Sequence, residues 1–300
     1  MRTIFKRLFY FCNVLFTKIN NLTNLHDVIV ISGYLSYNWG RLLKNNFGDD
    51  INIPMVEFLS SKKCAYFYNY FTKQGRPNLL CIGSIIEDYS TPYTTIWGSG
   101  CLSLEKKIKN KPYKVLAVRG PLTRRKLIEN GIECPEIYGD PALLMPYLYK
   151  PNITKTFKYG FIAHYADYNL PQMQKIMKEH PEILYIKFQD YKSWKDVLDQ
   201  ICSCECIMSS SLHGLIISDA YNIPNVQVVL SKNILGGDFK YKDYFGGVGR
   251  EYREPIELKY SIDLEHINRE LMLYKPIVFD GKVLLSCFPF LDRNKFRKVL

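Results

Sequence analysis

Three hundred residues, 47% hydrophobic and 23% charged, are enough for two ordinary domains with full cores and exclude a disordered chain. There is no low-complexity tract and no repeat of solenoid period, so fibrous and repeat architectures are excluded too. The formal charge of +11 is uneven: residues 1–150 carry 20 Lys and Arg against 11 Asp and Glu, and the remainder adds only +2. A basic half suits an anionic partner (a phosphorylated substrate, nucleic acid or anionic lipid) or simply a Lys-rich soluble surface such as 105–114.

The chain opens on MRTIFKRLFYFCNVLFTKI, with Arg2, Lys6, Arg7 and Lys18 and no acid before Asp27. Its apolar stretch is too short to span a bilayer and lacks a small-residue cleavage site. The expectation is a terminal helix packed on its own domain, with a basic aromatic helix lying on an anionic membrane face as the alternative. Nine Cys, scattered through apolar segments, predict a reduced, cytoplasmic compartment, with contact at the inner face of the membrane left open. CSCEC (202–206) lacks metal-ligand spacing and is read as buried thiols; no metal is expected.

Next come strand-like runs at 27–33, 78–86, 93–100 and 113–120. A helix is expected over 51–61, capped by Asp50 or Asn52, and another over 121–131, opened by Pro121 and closed by Gly131. The second half repeats the alternation. Strands are expected at 157–164, 182–188, 205–210 and 225–230, with helices from 170, 193 and 212 between them. Continuous apolar strands alternating with helices predict buried parallel sheets. The expected fold class is α/β: two Rossmann-like domains, 1–150 with the basic N-terminal segment and 151–300 with C-terminal helices, facing a cleft.

In such sheets ligands bind beyond the carboxyl ends of the strands. The loops selected by that rule hold Asn46, Gly48 and Asp49; Gly83 and Ser84; Gly98, Ser99 and Gly100; Arg119 and Gly120; Gly139 and Asp140; His164 and Asp167; and Ser209 to His213. Small residues let a ligand approach the backbone, and the following helix starts offer N–H groups to anions. Arg119 is placed to grip a carboxylate or phosphate, or to make a structural ion pair. His213 stands in the first turn of a predicted helix, where it either packs or switches between acid and base near neutral pH. The serines before it are hydroxyl donors rather than nucleophiles, since no G-x-S-x-G elbow is present. No Walker A sequence, H-E-x-x-H or dinucleotide fingerprint occurs, and no nucleic-acid-binding module is found.

The stretches NNFGDDIN, IWGSG, VLAVRGPLTRRKLIENGI, YGDPALLMP, FIAHYAD and SSSLHGLIISDAYNIP, in this order, resemble the polysaccharide pyruvyl transferases over roughly residues 27–250. The resemblance implies a GT-B-like two-domain fold with the site in the cleft. It implies transfer of a pyruvyl group from phosphoenolpyruvate to two hydroxyls of one sugar, forming a cyclic ketal and releasing phosphate, without a cofactor. It places the family's donor-binding Arg at Arg119, its acid at His213 and its N-x-G-D loop at Asn46, Gly48 and Asp49. Asp49 is the weaker candidate, for orienting or deprotonating the acceptor. Gly98, Ser99, Asp140, His164, Ser210 and Ser211 complete the expected substrate-binding set. Many members carry Arg two residues before the His. Here that residue is Ser211, and Arg124, Lys187 or Arg250 is expected to replace the missing cation. The implied acceptor is a capsular or exopolysaccharide repeat unit, free or lipid-linked. The competing readings are a GT-B-type glycosyltransferase using a nucleotide sugar and a non-catalytic carbohydrate- or membrane-binding protein.

Overall fold

The computed structural model describes residues 12, 15, 28–38, 41–43, 46–66 and 76–299. The expectation for the N-terminal helix falls almost wholly outside them. Among the described residues no helix is long and apolar enough to cross a membrane.

The first half opens with β1 (Ile29–Ile31), a short antiparallel hairpin of β2 (Ser36–Asn38) and β3 (Arg41–Leu43), and two consecutive helices, α1 (Phe47–Asp50) and α2 (Asn52–Ser60). It continues through β4 (Cys64–Tyr66), β5 (Asn78–Leu80), α3 (Ile86–Tyr89), β6 (Thr94–Trp97), β7 (Lys114–Ala117) and α4 (Pro121–Glu129). Five of these strands pair in parallel in the order β4-β1-β5-β6-β7. A 3-10 turn (Pro141–Leu144) and α5 (Met145–Leu148) lead into the second half. There β8 (Phe157–Ile162), α6 (Pro171–Glu179), β9 (Leu184–Tyr185), α7 (Trp194–Cys202), β10 (Cys204–Ser209), α8 (Leu212–Ala220), β11 (Asn225–Val229), α9 (Phe239–Gly247) and β12 (Ile256–Glu257) form a second parallel sheet, ordered β12-β11-β10-β8-β9.

Counted within each half, the pairing strands follow one pattern, 2-1-3-4-5. Such a sheet reverses its winding between its first and third strands, and the crevice there is where ligands sit. The switch points are β1/β5 and β8/β10. The apolar runs force both faces of the strands inward: β5 is buried throughout, and β10 is buried except at Glu205. The expected strand at 182–188 shrinks to Leu184–Tyr185, an edge strand that, among the described residues, pairs only with β8.

The helix expected over 51–61 forms as α2, but neither expected residue caps it. The chain enters α2 directly from α1, and Asn46 caps that first turn, its Oδ1 accepting from the Gly48 N–H at 3.3 Å. Asn52 instead ties α2 to the sheet. Its Nδ2 donates to the Asp49 and Ile82 carbonyls at 2.8 and 3.1 Å, and its Oδ1 accepts from Ile82 N–H at 2.8 Å. Pro121 starts α4 as expected, with Gly131 in the left-handed region just beyond its end.

After α10 (Leu264–Leu271), the last helices, α11 (Gly281–Ser286) and α12 (Arg293–Phe296), return to the first half. Trp97 Nε1 donates to the Leu284 carbonyl at 2.9 Å, its ring lies 4.4 Å from that of Phe288, and Phe296 meets Phe58 edge-on at 5.8 Å. One apolar cluster runs through both halves, from Ile31 and Trp97 to Ile207, Leu215, Tyr244 and Leu284. The CSCEC thiols lie at the end of α7 and along β10, and burial raises the pKa values of Cys202, Cys204 and Cys206. Thiols held protonated this way pack as small apolar groups.

Candidate active site

A cavity of about 330 Å³ lies where the carboxyl ends of the two sheets meet. Every strand-end loop it touches follows a strand. Tyr34 follows β1, Asn46 and Asp49 follow β3, Ser84 follows β5, Leu102 follows β6, and His164 follows β8. Phe188 follows β9, Ser211 and His213 follow β10, and Lys240 follows β11. Both switch points therefore open into one space, large enough for a small phosphorylated acid.

His213 is set in the first turn of α8. Its Nε2 is buried and has no hydrogen-bond partner among the described residues. Burial, reinforced by the charges of Arg119 and Lys240 and by His164, pushes its pKa down to about 3. The imidazole is therefore neutral at neutral pH. Its ring lies against the backbone of α1: a Cβ built on Gly48 would sit 1.8 Å from His213 Nδ1. Gly48 is thus required by the close approach of the imidazole. Gly48→Ala is expected to fold and to lower kcat/KM by about 10²-fold through displacement of the ring. Wild-type kinetics in the folded variant would show that the ring position does not matter.

His164 is the second imidazole of the cavity. Its backbone N–H donates to Ser210 Oγ at 2.8 Å, and its Nδ1 accepts from Ala166 N–H at 3.2 Å, which assigns the ring proton to Nε2. Burial, with a smaller effect from Lys240, lowers its pKa to about 3. Asp49, from α1, accepts from Asn46 Nδ2 at 2.5 Å, and burial followed by the Asp50 charge raises its pKa well above the usual carboxylate range.

The serines divide. Ser209 Oγ shares its one proton between the Ile162 and Ser211 carbonyls, and Ser210 Oγ accepts from His164 N–H and faces Asp167, so both serve the β8–β10 junction. Ser211 lines the cavity. Ser99 is fully buried, donating to the Cys81 carbonyl at 2.7 Å, and Gly98 packs on Pro141. Asp140 caps the 3-10 turn through Ala142 N–H at 2.9 Å and is buried away from the cavity lining; its Oδ2 has no hydrogen-bond partner among the described residues, and burial raises its pKa to about 7.

Arg119 is fully buried behind Ser84. Its Nη1 donates to Ser84 Oγ at 2.5 Å, Nη2 to the Cys101 carbonyl at 2.8 Å and Nε to Asp243 Oδ2 at 3.0 Å. Gly100 makes room for it: a Cβ there would lie 2.2 Å from Arg119 Cζ. Of the cations expected to replace an Arg at 211, Arg124 donates to the Cys134 carbonyl, Arg250 pairs with Asp219 at 3.1 Å, and Lys187 lies over the Tyr168 ring. None of the three lines the cavity. Lys240 does, and the sequence reading missed it. It stands in the first turn of α9, 7% exposed, and among the described residues it has no ion pair. The pattern that reveals it is local: Tyr241, Tyr244 and Phe245 mark the inward face of α9 and carry Lys240 and Asp243 inside with them.

A model of the polysaccharide pyruvyl transferase family matches residues 3–232, taking in both sheets' switch points and His213. The chain belongs to this family. It is similar to the succinoglycan biosynthesis protein ExoV of Rhizobium meliloti (strain 1021), with 28% identity over 215 residues, 69% of this chain. The match covers 63% of that relative, so the chain aligns with less than two thirds of its length. It is also 28% identical over 210 residues to the uncharacterized protein L143 of Acanthamoeba polyphaga mimivirus, covering 69% of this chain and 72% of that one. No solved structure matches the chain.

Proposed function

We propose that the chain transfers a pyruvyl group from phosphoenolpyruvate to two hydroxyls of a sugar in a capsular or exopolysaccharide repeat unit, free or lipid-linked. The observation that carries this reading is the buried, unpartnered Nε2 of His213, a residue within the stretch matched by the family, in a cavity shared by both switch points. Two parallel sheets meeting at their carboxyl ends also support a GT-B-like arrangement.

In this reading His213 delivers a proton to the methylene carbon of the enol, and an oxocarbenium-like centre forms at the neighbouring carbon. The two sugar hydroxyls add there, and the bond to the phosphate oxygen breaks. Of the two protons the hydroxyls lose, one balances the proton taken up by the new methyl group and the other leaves with phosphate. Asp49, whose burial makes its carboxylate more basic, orients or deprotonates the acceptor. Arg119 contributes its charge from behind Ser84. His164, with its proton assigned to Nε2, supplies a hydrogen-bond donor. Donor binding brings negative charge beside His213 and raises its pKa, so the proton needed for the first step is taken up with the donor.

The test is phosphate release from phosphoenolpyruvate against a panel of galactosides, glucosides and mannosides, with each product weighed for the ketal. Release that requires one acceptor and yields the ketal mass is expected. Consumption of a nucleotide sugar, with no phosphate released from phosphoenolpyruvate, would replace this reading by glycosyl transfer.

A further inference from the structure

A lysine buried without a carboxylate partner is costly, and Lys240 is doubly so. Burial, with the neighbouring Arg119 charge, brings its pKa down to about 8, against the pull of Asp49 and Asp167. It also occupies the first turn of α9, the positive end of that helix dipole, where cations are disfavoured. Among the described residues only weak interactions compensate, with no hydrogen bond or ion pair to its Nζ. Its Nζ lies 5.4 Å from the Tyr241 ring centroid, and the surrounding imidazoles, His164 and His213, are neutral.

The same cavity receives a second positive helix end. The N-cap of α8, Ser211, makes no side-chain cap, so the first-turn N–H groups of this nine-residue helix are not satisfied by it. Lys106, the other lysine in the lining, is already paired with Asp88. Helix end and buried ammonium together form a site for a compact, multiply charged oxyanion.

We propose that Lys240 binds the phosphate of the donor. This rests on the pyruvyl-transfer reading for the donor's identity, though not for the anion site itself. Lys240 contacts substrate directly and spares His213 from serving as an anion clamp, leaving it to move a proton. The phosphate sits between the starts of α8 and α9, and inorganic phosphate, as product, returns to the same place.

Calorimetric titration of wild type, Lys240→Met, Lys240→Arg and Lys242→Met with phosphoenolpyruvate, inorganic phosphate and pyruvate tests this. Wild type is expected to bind both phosphate compounds. Lys240→Met should weaken both by about 10- to 100-fold, the loss of one charge-assisted hydrogen bond in a buried site. Lys240→Arg should restore part of that affinity. Pyruvate, which has a carboxylate only, should not respond to the substitution. Lys242→Met removes the same charge from an exposed position on the same helix and should change nothing. In turnover, Lys240→Met should raise the donor KM more than it lowers kcat.

Wild-type phosphate affinity in folded Lys240→Met would overturn the proposal. Phosphate binding that depends on Lys240, without phosphoenolpyruvate binding, would uphold the anion site and sink the donor reading instead. A second measurement needs no variant. Cyanate should carbamylate Lys240 in wild type, and phosphate should protect it; unchanged labelling would count against the proposal even if both Lys240 variants failed to fold.

Discussion

His213→Ala is expected to fold and to lose turnover by about 10²–10⁴-fold, the ordinary contribution of a positioned acid. The fold should survive because the side chain makes no hydrogen bond through Nε2 and the residue it leaves, Ala, favours helix at that position. The loss falls on kcat rather than on donor affinity, since a neutral imidazole contributes little to holding an anion before it takes up a proton. Burial pushes the imidazole pKa down to about 3, so it is uncharged at neutral pH. An anion arriving beside it raises that pKa, so donor binding takes up protons, and the uptake is greatest when the raised value passes the working pH. Calorimetry in two buffers of different ionisation enthalpy measures the uptake. Wild type should show a proton uptake that His213→Ala partly loses. Turnover near wild type in the folded variant, or an uptake unaltered by the substitution, would remove His213 from the acid role.

The architecture was largely legible because it is written in the strands. Short apolar runs that end in Gly- and Ser-rich loops and alternate with helices suit the doubly buried strands of a parallel sheet, and the carboxyl-end rule then points to Asn46, Asp49, His164, Ser211 and His213. All five line one cavity. The role of Arg119 was not separable in the same way. An Arg at a strand end serves equally as an anion clamp or as half of an ion pair, and its partner Asp243 lies on α9, 124 residues away. Asp140, Gly98 and Ser99 show the converse limit. Their loops are at the right end of the sheet, but a carboxyl-end loop has an inner and an outer side, and these residues turn toward the packing of the 3-10 turn and β5. Lys240 was hidden because a charged residue among charged residues reads as surface. Only the aromatic spacing of α9 contradicts that, by placing the lysine on the buried stripe.

Asp243→Ala is expected to destabilise the protein by about 3–5 kcal/mol, more than any other single substitution considered, because it strands a buried charge. Asp243 and Arg119 are both fully buried, with Asp243 Oδ2 3.0 Å from Arg119 Nε. The same carboxylate accepts from Thr123 N–H at 2.8 Å and Thr123 Oγ1 at 2.7 Å. Those contacts do for α4 what its own N-cap, Gly120, cannot: a carboxylate from α9 caps the helix from the opposite half of the chain. Gly120 permits it, since a Cβ there would fall 1.8 Å from the Asp243 carbonyl oxygen. Truncation therefore removes a cap, an ion pair and one anchor of the α4–α9 contact together. Asp243→Asn keeps the shape and part of the cap but not the charge, so it should fall between wild type and Asp243→Ala. Urea unfolding of the three proteins measures the order. A loss below about 1 kcal/mol for Asp243→Ala would mean that Arg119 finds another partner or water when Asp243 is gone. The expected order would instead make the pair the strut that sets α9, and with it Lys240, against the floor formed by Arg119 and Ser84.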